Sequence, residues 1–128
     1  MEFQYAYTRL NVTDYDACLQ FYRDTLGFRV TYQEEGYAEL ETGTTKITLL
    51  QKQKLKTVVG SQDIELSNSS DRISLAFKVR NLDEATQFLK GKGVEFTGTP
   101  WEFPDWGFTS TFFRDPDGNL IELQQLLT

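Results

Sequence analysis

A chain of 128 residues, 39% of them hydrophobic and 25% charged, is long enough to close one core without staples, and its apolar runs are too short to span a bilayer. A formal net charge of −6, with a sequence pI near 4.6, argues against a nucleic-acid partner, which needs a concentrated basic surface. One cysteine and no histidine exclude an internal disulfide, a thiolate metal cluster and any imidazole base. Residues 1–5 lack a basic start followed by an apolar run, so no secretory signal is expected, and the expected location is cytoplasmic.

Taken in chain order, Tyr5 to Asn11 alternates as a strand, and Thr13-Asp14 offers N-cap oxygens to a helix carrying Tyr15, Cys18, Phe21, Tyr22 and Thr25. Cys18 falls at an apolar position of that helix and reads as a small core residue. Gly27 suits a left-handed helix stop. Three strand-like runs follow, Arg29 to Glu35, Tyr37 to Glu41 and Thr45 to Gln51, separated by Gly36 and by Thr42-Gly43-Thr44. The order is βαβββ.

A polar stretch ending in Ser67-Asn68-Ser69-Ser70 reads as a linker, about 53–70, and Lys52, Lys54 and Lys56 read as a solvated edge. Ile73 to Val79 then alternates, with Ile73, Leu75, Phe77 and Val79 on one face. Asn81 and Glu84 form a capping box for a helix bearing Leu82, Ala85, Phe88 and Leu89, closed by Gly91 and Gly93. Strands are expected at Val94 to Thr97, Phe108 to Arg114 and Leu120 to Gln125, with a loop from Pro100 to Gly107 that crowds Trp101, Phe103, Trp106 and Phe108 together. Four aromatics in a loop cover a core, an interface or a ligand. The βαβββ order has repeated, with unit one at about 3–52 and unit two at about 71–128 of a single α+β domain. Two such units side by side would curve into a half-open mixed sheet of about eight strands, helices outside, with a concave face as the natural ligand site.

The last hairpin is the most specific stretch. Phe113-Arg114-Asp115-Pro116-Asp117-Gly118-Asn119-Leu120-Ile121-Glu122-Leu123 joins turn chemistry to an alternating strand. It resembles the closing hairpin of the vicinal oxygen chelate superfamily, which includes glyoxalase I, extradiol dioxygenases and the bleomycin-resistance proteins. The resemblance implies the same paired βαβββ fold. It also implies metal-ligand positions at Tyr7, Thr48, Arg72 and Glu122, of which only Glu122 is a usual ligand. A guanidinium carries donors only and cannot ligate a cation, so the metal site reads as degenerate. No cofactor is expected; a divalent metal is the alternative.

Arg72 and Glu122 hold opposite charges at two of these positions, which suggests an ion pair in place of the metal. Alternation on the flanking strands adds Tyr5, Tyr7, Arg9, Ser74 and Gln124 to the inward face. With Thr48, Arg72, Glu122 and the aromatics Trp101, Trp106 and Phe108 they make the expected ligand pocket, whose two arginines against one glutamate favour a small anion or a carboxylate-bearing ligand. Residues Trp106-Gly107 hold the place of a pocket border in the family, and so of a lid. Binding of an unidentified small molecule without metal-dependent catalysis is the expected function. One alternative is a lyase, isomerase or dioxygenase-like enzyme with Glu122 as catalytic base or residual metal ligand. The other is a vestigial pocket in a homodimeric interaction module, and dimerisation is common among the relatives.

Overall fold

The computed structural model describes residues 1–2, 4–54, 73–105 and 107–127. The chain divides into two compact units, Met1–Asn68 and Ser69–Thr128. The expected linker falls mostly in 55–72, outside the described residues.

In unit 1, strand β1 (Thr8–Val12) leads to Asp14, whose Oδ1 accepts from the Ala17 amide at 3.1 Å and caps helix α1 (Tyr15–Gln20). The last turn widens into a π-helical segment, Phe21–Thr25, in which the Leu26 amide reaches back to the Phe21 carbonyl at 3.0 Å. Gly27, at φ 80°, then breaks the helix in the left-handed region. Strands β2 (Arg29–Glu34), β3 (Tyr37–Glu41) and β4 (Lys46–Gln51) complete a sheet of order β1-β4-β3-β2, with β1 parallel to β4 and the other neighbours antiparallel. Alternation puts Leu10, Val12, Ala38, Leu40, Ile47 and Leu49 on one face. That face packs on α1 and its continuation through Tyr15, Cys18, Leu19 and Tyr22, all buried. Each large apolar side chain there contributes about 1.5–3 kcal/mol by leaving water. Cys18 is fully buried within this core. A single 3-10 turn, Lys52–Lys54, follows β4.

Unit 2 repeats the plan. Strand β5 (Ser74–Lys78) precedes Asn81, whose Oδ1 accepts from the Glu84 amide at 2.9 Å and caps α2 (Leu82–Gly91). Strands β6 (Trp101–Phe103), β7 (Phe108–Arg114) and β8 (Leu120–Leu126) follow, in the order β5-β8-β7-β6, again with one parallel pair, β5 on β8. Leu82, Leu89, Phe113, Ile121 and Leu123 form its core.

Two expectations need correction. Trp101–Phe103 is a short edge strand on β7, where the flanking prolines had suggested an uninterrupted loop. Val94 to Thr97 is not a strand; it touches the sheet through one bridge, Phe96 to Phe113. Phe88 and Ile73 are 57% and 73% exposed, and Lys92 Nζ lies 5.6 Å over the Phe88 ring. Among the described residues, no helix is long and apolar enough to cross a membrane.

Candidate functional site

The side of each sheet turned away from its helix carries the polar and aromatic residues. Residues directly paired across strands share a side, so the register defines these faces. In unit 1, Arg9 pairs Thr48, which pairs Glu39, which is followed across by Tyr32. Asn11 pairs Leu50, which pairs Tyr37. Arg9 Nη2 donates to the Tyr7 phenol oxygen at 2.8 Å, and its guanidinium carbon lies 5.5 Å from the centroid of the Tyr7 ring and 6.0 Å from that of Tyr37. Tyr37 in turn donates to Glu39 Oε2 at 2.7 Å, and Lys46 Nζ donates to Glu39 Oε1 at 3.2 Å.

These contacts set the ionisation of the cluster. Burial, then the hydrogen bond to Glu39 and that carboxylate's charge, push the Tyr37 phenol up to about 12. The same phenol and Lys46 hold the Glu39 carboxyl below its ordinary value. Beside this satisfied trio lie three buried polar atoms with no hydrogen-bond partner among the described residues: Arg9 Nε, Asn11 Oδ1 and Thr48 Oγ1. Leaving such a group unmade costs about 1–3 kcal/mol, so their grouping on one face asks for a complement.

Unit 2 presents a different face on the same frame. Glu122 on β8 lies between Ala76 on β5 and Phe112 on β7, and Gln124 lies between Lys78 and Ser110. Gln124 Nε2 donates to Glu122 Oε2 at 3.1 Å. Trp101 pairs Ser110 from the edge and is 67% exposed, while Phe108 lies 5.6 Å from Phe103 between ring centroids. Ser110 Oγ is buried without a partner among the described residues.

The structure thus gathers Tyr7, Arg9 and Thr48 on unit 1 and Ser74, Trp101, Phe108, Glu122 and Gln124 on unit 2. Tyr5 precedes β1, is 75% exposed and bonds the Thr8 hydroxyl, so it borders the unit 1 face at most. Arg72 and Trp106 lie outside the described residues, and the Arg72–Glu122 pair and the lid with them. The helix caps sharpen one correspondence. Tyr7 and Ser74 stand at the same distance before Asp14 and Asn81, and the parallel registers Arg9–Thr48 and Ala76–Glu122 agree with that alignment. Ser74 is therefore the repeat counterpart of Tyr7.

Sequence reading missed Asn11, Tyr37, Glu39 and Lys46. The alternation of Tyr37, Glu39 and Glu41 across the Thr42-Gly43-Thr44 turn from Lys46 was the available signal, because a hairpin at that turn pairs them. Of the family positions, Arg72 lies outside the described residues, and the other three are a poor donor set for a metal: the Tyr7 phenol already holds a guanidinium, Thr48 offers a neutral hydroxyl, and the Glu122 carboxylate is engaged by Gln124. Among the described residues, no group of three or more Asp, Glu, Cys or His side chains is placed to share a cation.

Two βαβββ units, each backed by a helix and carrying polar and aromatic residues on the other side of its sheet, define a repeated βαβββ fold. The family model of the glyoxalase/bleomycin resistance protein/dioxygenase superfamily matches residues 4–123, and the chain belongs to that superfamily. It is 34% identical to YraH of Bacillus subtilis, over 93% of this chain and 95% of that one. It is 27% identical to the bleomycin resistance protein of Geobacillus stearothermophilus, over 91% and 92% of the two chains. A glyoxalase/bleomycin resistance protein/dioxygenase crystal structure from Nocardioides shares the fold, with a TM-score of 0.80 and 23% identity over 99% of this chain and 87% of that one.

Proposed function

We propose that the protein binds a small molecule on its helix-free sheet faces and does so without metal-dependent catalysis, in the manner its likeness to bleomycin resistance proteins suggests. The observation that carries this reading is the set of buried, unpartnered atoms of Arg9, Asn11 and Thr48 on one face of unit 1. A sheet face kept only for packing would place apolar groups there, as the opposite face does. The reading takes the protein as a cytoplasmic homodimer, on composition and on the assembly habit of the relatives.

Thermal unfolding of the purified chain, titrated with Mn, Fe, Ni and Zn ions and with a panel of small aromatic compounds, tests it. Stabilisation by a compound and none by stoichiometric metal is the expected result. Tight metal binding that disappears in Glu122→Ala would overturn it. A second reading rests on Glu122 itself: a half-buried carboxylate between Ala76 and Phe112, held by one amide, has the setting of a general base. Turnover of a carbonyl substrate that is abolished by Glu122→Gln, with binding retained, would favour that reading.

A further inference from the structure

We propose that Arg9 is an anion receptor and that the ligand of the unit 1 face presents a carboxylate to it. The inference rests on the reading that this face binds a small molecule. Three cations stand on the strands of this sheet. Arg29 pairs with Glu41 and Lys46 with Glu39. Arg9 has no carboxylate partner among the described residues, although it is half-buried between two aromatic rings. A partly buried guanidinium without a counter-charge is costly, and proteins pair such groups.

The chemistry around Arg9 is donor-rich. Its Nη2 is spent on a neutral phenol, its Nε is shielded from water without an acceptor, and the Thr48 hydroxyl beside it on β4 is likewise unpartnered. Tyr7 accepts from Arg9 and keeps its own proton for a further acceptor. The nearest carboxylate in the row, Glu39, is already held by Tyr37 and Lys46. An incoming anion therefore meets one uncompensated positive charge and several idle donors. A guanidinium fork matches the two oxygens of a carboxylate, and the Tyr7 and Tyr37 rings favour a ligand whose carboxylate is attached to a flat ring. A cationic ligand meets like charge at the same place.

Three probes of one size separate the possibilities: benzoate, benzamide and benzylammonium, titrated at millimolar concentrations into the full chain by calorimetry. Benzoate is expected to bind about tenfold or more tightly than benzamide, and Arg9→Met to remove that preference. Thr48→Val is expected to weaken benzoate about threefold and leave benzamide unchanged. In wild-type protein, the assigned Arg9 Nε–H resonance should shift with benzoate and stay fixed with benzamide, a readout that survives any folding defect of the variants. Equal binding of all three probes, or preference for benzylammonium, overturns the anion receptor while leaving small-molecule binding intact. Binding of none of them, with the Arg9 resonance unmoved, overturns both.

Discussion

The two units share a backbone plan and divide the chemistry between them. In unit 1 the middle of the helix-free face is the neutral, fully buried Thr48, with opposite charges on either side at Arg9 and Glu39. In unit 2 the charge is at the middle, Glu122, and the flanks are Ala76 and Phe112. The helix-facing sides differ far less: Leu40 and Phe113 hold equivalent places, each opposite an isoleucine and each fully buried. A repeat keeps its core because packing punishes change, whereas an open face is free to diverge. The two faces therefore differ in where the charge sits: on the neighbours of the central strand at Arg9 and Glu39 in unit 1, and on the central strand itself at Glu122 in unit 2.

The hairpins that close the two sheets offer the sharpest way to break the likeness. Asp115 is 5% exposed, and its carboxylate accepts from the amides of Asp117 and Asn119 at 2.9 and 2.8 Å and from Asn119 Nδ2 at 2.8 Å. The corresponding turn in unit 1 is held by the Thr42 hydroxyl on the exposed Thr45 carbonyl at 3.0 Å. Asp115→Ala is expected to cost about 2–3 kcal/mol, because it strands several donors that a charged acceptor had satisfied. Thr42→Ala is expected to cost about 0.5 kcal/mol, since water replaces its bond. Urea denaturation of both variants measures the difference; equal losses would mean that the turns carry the same load.

Much of this was legible because it is local. The Asp115 turn, the caps at Asp14 and Asn81 and the Gly27 stop depend on residues within a few positions of each other, and all appear where the sequence places them. Strand β6 was not legible: three residues between prolines carry no periodicity, and what makes them a strand is a partner on β7. The widening of α1 at Phe21 has no signature in composition either. On the open faces, alternation found Tyr7, Arg9 and Gln124, but the Tyr37–Glu39–Lys46 cluster exists only through cross-strand register. Pairing sets that register, and a single strand read alone does not contain it.

Alkaline pH separates the faces again. The place of Tyr37 in unit 1 is taken in unit 2 by Ser110, which cannot titrate in this range. The folded state raises Tyr37 from 10.0 to about 12, so it holds a proton that the unfolded chain releases. Its contribution is whole below pH 10 and is lost as pH climbs toward 12. Tyr37→Phe should lower stability by about 1 kcal/mol at neutral pH and flatten the alkaline decline, with Tyr15 and Tyr32, also raised, supplying the slope that remains. An unchanged decline in the variant would place the titration elsewhere.

The smallest expected effect tests the central difference directly. If the Thr48 hydroxyl has no partner in the free protein, replacing it with the isosteric methyl of valine removes a desolvation cost and no bond. Thr48→Val should therefore unfold within about 0.5 kcal/mol of wild type or slightly above it, in contrast to the usual penalty for altering a fully buried residue. A loss of more than about 1 kcal/mol would show that the hydroxyl is already satisfied, and Thr48 would then be a structural residue. Stability held in the free protein together with affinity lost for benzoate is a combination that packing alone does not produce. It would mean that unit 1 carries an unfilled hydrogen bond at the position where unit 2 carries its carboxylate.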